Sequence, residues 1–225
     1  MSTVAAGAET PESHRPLVLP AGSVETLKWL ALVLMVLDHV NTYLLSGSVL
    51  WMFDAGRTVM PVFSMVLAYN LAHAAPGAAW RTARRALAFG FLATPAFWAL
   101  RGEWWPLNIM FALAASAAAI GLLEQQRTKA ALALAAAAGM VVEFWWPAIG
   151  ATVAAWFFWR APTWRPAAAW ALCLLALTPV NGSFWAFAAV PMVALVAPLK
   201  IHPTRVRWIF YLAYPLHLTI LWSLK

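Results

Sequence analysis

Long hydrophobic runs alternate along this chain with short polar or Gly- and Pro-containing turns. The alternation predicts nine helices. The predicted helices cover residues 27–45, 54–74, 85–100, 106–123, 130–146, 148–159, 166–177, 184–197 and 206–224. A helix needs about 20 residues to span a bilayer. The sixth run is shorter than that, so we expect it to be either a half-helix or a span extended by its flanking residues.

The beginning of the chain differs from the rest because it is rich in Ala, Gly, Pro and polar residues. Such a segment has no apolar core of its own, and it predicts a disordered cytoplasmic tail over residues 1–24. The first hydrophobic run already has the length of a membrane span, and no A-x-A cleavage site follows it. We therefore expect a retained anchor rather than a signal peptide, and a single transmembrane domain over residues 25–225.

Composition indicates the class of protein. Hydrophobic residues make up 64% of the 225 residues and charged residues only 10%, whereas soluble domains carry about 25% charged residues. The predicted fold class is therefore all-α, a polytopic transmembrane helical bundle with about nine crossings and a range of roughly eight to ten. The single cysteine, Cys173, lies in an apolar run, which excludes a disulfide framework and a thiolate metal site.

The net charge of +7 would suit nucleic-acid binding, but the positions of the charges indicate a different cause. With a cytoplasmic N-terminus, all but three of the 15 Lys and Arg residues fall on the cytoplasmic side of the predicted crossings. The three on the far side are Arg57, Arg101 and Lys225. This distribution follows the positive-inside rule. It predicts a multi-pass protein of the inner (cytoplasmic) membrane that contacts the lipid bilayer and not nucleic acid.

Asp38 and His39 stand side by side in the first predicted helix, whose other residues are almost all apolar. A carboxylate at the centre of a membrane helix costs roughly 2.5–3.5 kcal/mol on insertion scales. Such a pair indicates either a proton-handling site or buried polar residues that only hold helices together.

Other rare polar residues reach a similar depth. At 1.5 Å per residue, His39 and Glu143 lie about 20 Å from the cytoplasmic ends of their predicted helices, and His217 lies about 16 Å from its own. The outer half of the bundle would then contain Asp38, His39, Arg57, Asn108, Glu143 and His217. Polar residues that merely join helices have no reason to share one layer, so the clustering favours a site.

The residue types in this layer limit its chemistry. Histidine exchanges protons near neutral pH, so two histidines, an aspartate and an arginine supply a base, an orienting carboxylate and an anion-binding group. A metal site is not expected, because the histidines and carboxylates lie on separate helices without a short ligand motif such as HExxH. The chain also lacks a nucleophile-elbow motif and a Gly-rich phosphate loop.

Several segments of the chain carry motifs that can be compared with known families. They read LKWLALVLMVLDHV at 27–40, GRTVMPVFSMVLAYNL at 56–71, NIMFALA at 108–114, VEFWWPAIG at 142–150 and YLAYPLHLTIL at 211–221. Together they resemble the TraX family, the conjugal-transfer pilin acetylases, over residues 25–225. The Tyr-Pro-x-His ending is a theme shared with the wider integral-membrane acyltransferases. One departure is Met60, which stands where the family has Phe before the proline.

The resemblance implies a membrane acetyltransferase that moves an acetyl group from acetyl-CoA to the N-terminal amine of a pilin subunit. An α-amino group has a pKa of about 7.7–8.0, so a neutral imidazole could deprotonate it before its attack on a thioester. His39 would be that base or a transient acyl carrier. Asp38 would fix a tautomer or pair with Arg57, and His217 would be a second proton handler or an oxyanion donor.

The remaining candidates have supporting roles. Arg57, whose alternative partner is Asp54, would bind an anion or balance charge. Asn108, Glu143 and Tyr214 complete this substrate-binding and charge-balancing group. Cytoplasmic arginines would meet the phosphates of acetyl-CoA, or would reflect topology alone; they are Arg81, Arg84, Arg85, Arg205 and Arg207.

Two other functions stay open at this point. The same residues could acylate a hydroxyl group of an envelope glycan or lipid. A proton-coupled small-solute transporter also carries His, Asp, Glu and Arg within its membrane path. Such a transporter is expected to have two related halves with broken helices, and only the repeated WWP at 104–106 and 145–147 hints at them.

Overall fold

The computed structural model describes residues 17–199, 201, 203–204, 206 and 208–225, with Ala21 as backbone only. Every regular element within these residues is a helix, which confirms the all-α prediction. The α-helices of this part of the chain are α1 (Ala21–Tyr43), α2 (Leu50–Gly56), α3 (Val59–Ala72), α4 (Ala78–Arg101), α5 (Ile109–Glu124), α6 (Thr128–Gly139), α7 (Trp145–Arg160), α8 (Trp164–Ala176), α9 (Thr178–Asn181), α10 (Ala189–Val196) and α11 (Ile209–Leu224). A 3-10 helix, Trp185–Ala188, precedes α10.

The longest of these helices are α1 with 23 residues and α4 with 24 residues. None of the helices in the described ranges is at once long enough and apolar enough to cross a membrane. α1 begins at Ala21, so the last four residues of the predicted tail are helical, whereas residues 1–16 lie outside the described residues.

The predicted 54–74 helix is two helices in the structure, so this boundary prediction was wrong. α2 ends at Gly56 and α3 begins at Val59, and Arg57 stands in the break between them. Pro61 lies in the first turn of α3, where its missing N–H removes no helical hydrogen bond, rather than at a kink inside one long helix.

Glu143 does not lie on a helix, contrary to the prediction of a helix over 130–146. α6 ends before Glu143, and the segment that follows pairs with the residues in front of α5. Leu107 donates its N–H to the carbonyl of Val141 at 2.7 Å, and Glu143 donates its N–H to the carbonyl of Leu107 at 2.8 Å. This long-range pairing holds Glu143 in a defined turn.

α4 includes several residues in front of the predicted helix over 85–100. Gly77 adopts a left-handed conformation with φ of 77° and precedes the helix, which therefore starts well before the predicted residue 85. Arg81, Arg84 and Arg85 belong to its first turns. The left-handed Gly102, with φ of 79°, ends the helix just after Arg101.

The other boundaries differ from the predictions by a few residues. The predicted 106–123, 148–159 and 166–177 helices begin instead at Ile109, Trp145 and Trp164, the 184–197 helix is the 3-10 helix followed by α10, and the 206–224 helix begins at Ile209.

Small residues allow the helices to pack closely. Gly90 of α4 lies so near α5 that an added Cβ would be 3.2 Å from both Met110 and Phe111. α3 packs on α7, and α11 packs on α4 and also contacts α1. This arrangement brings together the C-terminal end of α1, the break between α2 and α3, and the middle of α11.

Candidate active site

A cavity of about 340 Å³ lies at the C-terminal end of α1. Its walls also include residues of α2, α3 and α11, and the turn that precedes α7. The polar and charged side chains among its lining residues are Asp38, His39, Thr42, Tyr43, Arg57, Arg101, Glu143 and Tyr214. A concave space with convergent polar groups is typical of a small-molecule site.

A hydrogen bond joins His39 and His217, because Nδ1 of His39 lies 2.6 Å from Nε2 of His217. The two ring planes differ by only 5° and the centroids are 4.9 Å apart, so the rings meet edge to edge in one plane. Nδ1 of His217 lies 2.7 Å from the carbonyl oxygen of Ala213, one turn earlier on α11. A carbonyl oxygen only accepts hydrogen bonds, so Nδ1 of His217 carries a proton.

These contacts assign the tautomers of the two neutral histidines. With its proton on Nδ1, His217 presents the lone pair of Nε2 to His39. Nδ1 of His39 must then donate, which leaves the basic lone pair of His39 on Nε2. His39 lines the cavity, whereas the buried His217 lies behind it. A backbone carbonyl thus determines, through His217, which nitrogen of His39 is basic.

Asp38 forms an ion pair with Arg57, with 2.7 Å between Oδ2 and Nη2. The two side chains are only 13% and 16% exposed. Of the two roles predicted for Asp38, the geometry matches the pairing with Arg57 rather than the fixing of a tautomer. The carboxylate that pairs with Arg57 is accordingly not that of Asp54, the alternative partner.

The neighbours of this ion pair hold it in place. Nε of Arg57 donates to the carbonyl of Phe53 at 3.2 Å, and the guanidinium carbon lies 4.2 Å from the centroid of the Phe53 ring. Gly56 lies so close to Asp38 that an added Cβ would overlap the carboxylate. Oδ1 of Asp38 is buried and has no hydrogen-bond partner among the described residues. This oxygen lies against Gly56, where an added Cβ would be 2.7 Å from it.

A second carboxylate and arginine line the same cavity. Nη1 of Arg101 lies 3.6 Å from Oε1 of Glu143, and Nε of Arg101 lies 3.8 Å from Oε2 of Glu103. These contacts are longer than the contact between Asp38 and Arg57, and the Arg101 side chain is 34% exposed. We expect this pair to open more readily than the pair of Asp38 and Arg57.

The backbone directly after Glu143 is strained. Phe144 and Trp145 have φ values of 60° and 54°, which bulky residues rarely adopt. Each such residue costs about 1–3 kcal/mol and persists only where the surroundings enforce it, often at functional sites. The ring of Trp145 meets the ring of Trp105 edge-on at 4.9 Å, which helps to hold the turn.

Two tyrosines flank the histidine pair. The Tyr43 ring lies 5.7 Å from the His39 ring, and the buried Tyr214 ring lies 5.5 Å from the His217 ring. Lys225 donates to the carbonyl of Leu100 at 2.9 Å, and its ammonium lies 5.9 Å from the centroid of the Tyr43 ring. The histidines therefore have an aromatic surrounding in which few groups compete for their hydrogen bonds.

Asn108 is not among the residues that line the cavity, although the sequence placed it in the site. Its Oδ1 accepts a hydrogen bond from the N–H of Met110 at 3.1 Å, which caps α5. Its Nδ2 donates to the carbonyl of Gly90 at 3.0 Å and lies 3.3 Å from Oγ1 of Thr94. Asn108 thus fastens α5 to α4.

Three of the five arginines predicted to bind acetyl-CoA do not line this cavity either. Arg81, Arg84 and Arg85 are on the first turns of α4, and the guanidinium of Arg85 lies 5.2 Å from the Trp208 ring. The other two of these predicted residues, Arg205 and Arg207, lie outside the described residues.

The sequence reasoning missed Arg101 and Tyr43 as members of the site. Arg101 was used only as a charge that marks the far side of the membrane. The feature that could have placed Arg101 in the site is its position just before Gly102, at the same predicted end of the helical bundle as Glu143. Tyr43 lies one turn after His39 on α1, so helical spacing alone places both on one face.

Comparisons with known proteins agree with the resemblance seen in the motifs. The model of a protein family described as TraX protein matches residues 23–225. Two curated relatives named Protein TraX, one from Escherichia coli and one from Escherichia coli strain K12, are each 36% identical over 126 residues. The match covers 53% of this chain and 49% of each relative, so the chain spans about half the length of the curated relatives it matches. No solved structure matches this chain. Because the family model covers nearly the whole sequence, the chain belongs to the TraX family.

Proposed function

We propose that this protein is an integral-membrane acetyltransferase that moves an acetyl group from acetyl-CoA to an amine, the N-terminal amine of a pilin subunit. The observation that carries the proposal is the chain of hydrogen bonds from the Ala213 carbonyl through His217 to His39. It gives His39 a basic Nε2 beside a cavity that also contains two pairs of carboxylate and arginine.

In the proposed reaction, Nε2 of His39 takes a proton from the acceptor amine. This proton leaves while the nitrogen of the neutral amine attacks the carbonyl carbon of the acetyl thioester, so that a C–N bond forms and the C–S bond breaks. The thiolate of CoA leaves and receives the proton from His39, so the histidine returns to its starting state. No covalent acetyl-histidine is needed in this sequence of steps.

Asp38 and Arg57 have a separate role in this proposal. The carboxylate is held by Arg57 through Oδ2, while its buried Oδ1 stands without a partner among the described residues. Asp38 lines the cavity, and its carboxylate would accept a hydrogen bond from the amine and orient it toward the thioester. Arg57 balances the charge of the carboxylate, and removal of either partner would leave an uncompensated buried charge.

We also propose that the protein lies in the inner membrane as a multi-pass protein with a cytoplasmic N-terminus. The asymmetric distribution of Lys and Arg supports this location. Large apolar side chains are also exposed on several helices, such as Phe91 at 67%, Leu172 at 64%, Leu195 at 71% and Leu216 at 60%. In this arrangement α2 and α3 together make one crossing, because only two residues separate them.

The transfer reaction is testable with purified protein in detergent. Labelled acetyl-CoA and a peptide with the pilin N-terminus should give a labelled peptide, and the same peptide with a blocked N-terminus should stay unlabelled. Label on hydroxyl groups of an envelope extract instead would favour an O-acyltransferase. If no label moves and a solute gradient across proteoliposomes dissipates in a pH-dependent way, the protein is a transporter and the proposal is wrong.

A further inference from the structure

A second cavity of about 180 Å³ adjoins the candidate active site. It lies between α1, α3, α4, α5 and α11, and its walls are largely apolar side chains such as Phe63, Val66 and Leu113. Met35, Ile109 and Tyr214 line both this cavity and the one that contains His39. The two cavities therefore meet at these three side chains, and a narrow molecule could pass from one to the other if they moved apart.

The two cavities lead away from this meeting point in opposite directions along α1. The second cavity includes Lys28 near the start of α1, and the first includes Tyr43 at its end. Lys28 precedes His39 by eleven residues, a rise of about 16 Å along the helix. A molecule in the second cavity would thus approach His39 from the end of the bundle opposite to Arg101 and Glu143.

Basic side chains surround the far end of the second cavity. Lys28 lines it directly, and its ammonium forms an ion pair with the carboxylate of Glu25. Thr82 also lines it, and Arg81 and Arg85 lie within one turn of Thr82 on α4. Because Glu25 balances the charge of Lys28, the excess positive charge at this end comes from Arg81 and Arg85, and it would attract an anionic group.

Apart from Lys28, the polar groups that line the second cavity are few and uncharged. Asn70 of α3 and Thr82 of α4 face it from one side, and Tyr211 of α11 faces it from the other. The Tyr211 hydroxyl interacts with Thr82 and with Arg85. Amide and hydroxyl groups on apolar walls suit a flexible chain that carries amide bonds between methylene groups.

We propose that this second cavity holds the pantetheine arm of an acyl-CoA donor. The arm is a flexible chain with two amide bonds, a hydroxyl group and a pair of methyl groups on one carbon. The phosphates attached to it would lie beside Arg85, and its thioester would reach the three shared side chains Met35, Ile109 and Tyr214. The acceptor enters through the first cavity, so donor and acceptor meet at His39 from opposite ends. This inference rests on the proposed acetyl transfer, to which it adds a binding site for the donor.

A binding measurement separates this inference from the transfer reaction itself. The probe is an acetyl-CoA analogue whose thioester sulfur is replaced by CH₂, titrated by calorimetry into the purified full chain. Leu67→Trp fills the second cavity, and Asn70→Trp blocks it from an exposed position that tolerates a large side chain. Leu87→Trp is the matched control, because Leu87 is 40% exposed on α4 and does not line this cavity.

We expect both cavity variants to weaken binding of the analogue by about tenfold or more, since the arm loses its apolar contacts. The control should bind within about twofold of the unaltered protein. If all variants bind like the unaltered protein, while the unaltered protein transfers acetyl groups, the donor lies elsewhere and only this inference is wrong. If the unaltered protein neither binds the analogue nor transfers acetyl groups, the proposed function and this inference fall together.

Discussion

His217 influences the proposed chemistry without lining the cavity. Its Nδ1 is engaged by the Ala213 carbonyl and its Nε2 by His39. Both nitrogens are therefore occupied, which leaves neither free to exchange a proton with substrate. We infer that His217 is a positioning residue that keeps the basic lone pair of His39 on Nε2, and not the second proton handler that its sequence motif suggested.

Replacement of His217 by Gln and by Ala tests this role. The Gln amide oxygen can accept the hydrogen bond from Nδ1 of His39, so His217→Gln should retain much of the acetyl-transfer rate. His217→Ala should lose about 10–100-fold, as is typical when a group that orients a functional histidine is removed. The measurement is turnover per folded molecule, and equal losses in the two variants would rule out the positioning role.

The ion pair of Asp38 and Arg57 predicts an effect on folding. Asp38→Asn leaves the charge of Arg57 buried without a partner, which typically costs about 3–5 kcal/mol. We expect a clear drop in the amount of folded protein measured by size-exclusion chromatography. The double variant Asp38→Asn with Arg57→Gln removes both charges and should recover most of the folded protein. A double variant as poor as the single one would mean that the ion pair is not the cause.

The sequence identified His39, Asp38, Arg57 and His217 because each is a rare polar residue within an apolar run. The same reasoning wrongly placed Glu143 at the end of a helix. The turn that holds Glu143 depends on a long-range pairing with Leu107, which a local sequence pattern does not reveal. Asn108 illustrates a different difficulty. A buried asparagine at a helix start serves as a cap or as a ligand-binding group, and only its contacts distinguish the two.

Among the helices, α2 and α3 show why a break matters for the site. The break frees Arg57 from a continuous helix and directs it toward α1, where it meets Asp38. Gly56, the last residue of α2, allows the close approach of α2 to α1 at this point. The sequence pattern favoured one long helix here because no proline stands at the break and the hydrophobic run of α3 follows it directly.

Gly56→Ala should therefore disturb the site from a position that makes no polar contact with it. The added Cβ would overlap the Asp38 carboxylate, and overpacking of this kind typically costs about 1–3 kcal/mol. We expect both less folded protein and a lower transfer rate per folded molecule. The control is Ala55→Gly in the same short helix, which removes an atom and should cost only about 0.5–1 kcal/mol. Equal behaviour of the two variants would show that the contact with Asp38 is not important.

For the whole molecule, the proposed membrane topology orders the loops into two sets. Lys and Arg residues cluster near the turns around Gly77, Gln126 and Thr163, so these turns would face the cytoplasm. The turns around Ser48 and Glu103 would face the other side, together with the opening of the His39 cavity. The alternation of charge along the chain could be predicted from the sequence, because it does not depend on tertiary contacts.

A reporter that is active only in the cytoplasm can test this topology. Fusions after Gly77, Gln126 and Thr163 should be active, and fusions after Ser48, Glu103 and Lys225 should be inactive. The three active positions lie in turns between helices, so the fused domain does not interrupt a helix. Activity at Glu103 together with loss of activity at Gln126 would overturn the proposed orientation.

The proposed chemistry depends above all on the basic nitrogen of His39. His39→Gln keeps a hydrogen-bonding side chain of similar size, but an amide cannot take the proton from the acceptor amine. Purified His39→Gln protein, normalised to its folded fraction, should transfer labelled acetyl groups to the pilin peptide about 10²–10⁴-fold more slowly than the unaltered protein. A variant that folds and keeps near-normal turnover would show that His39 is not the base.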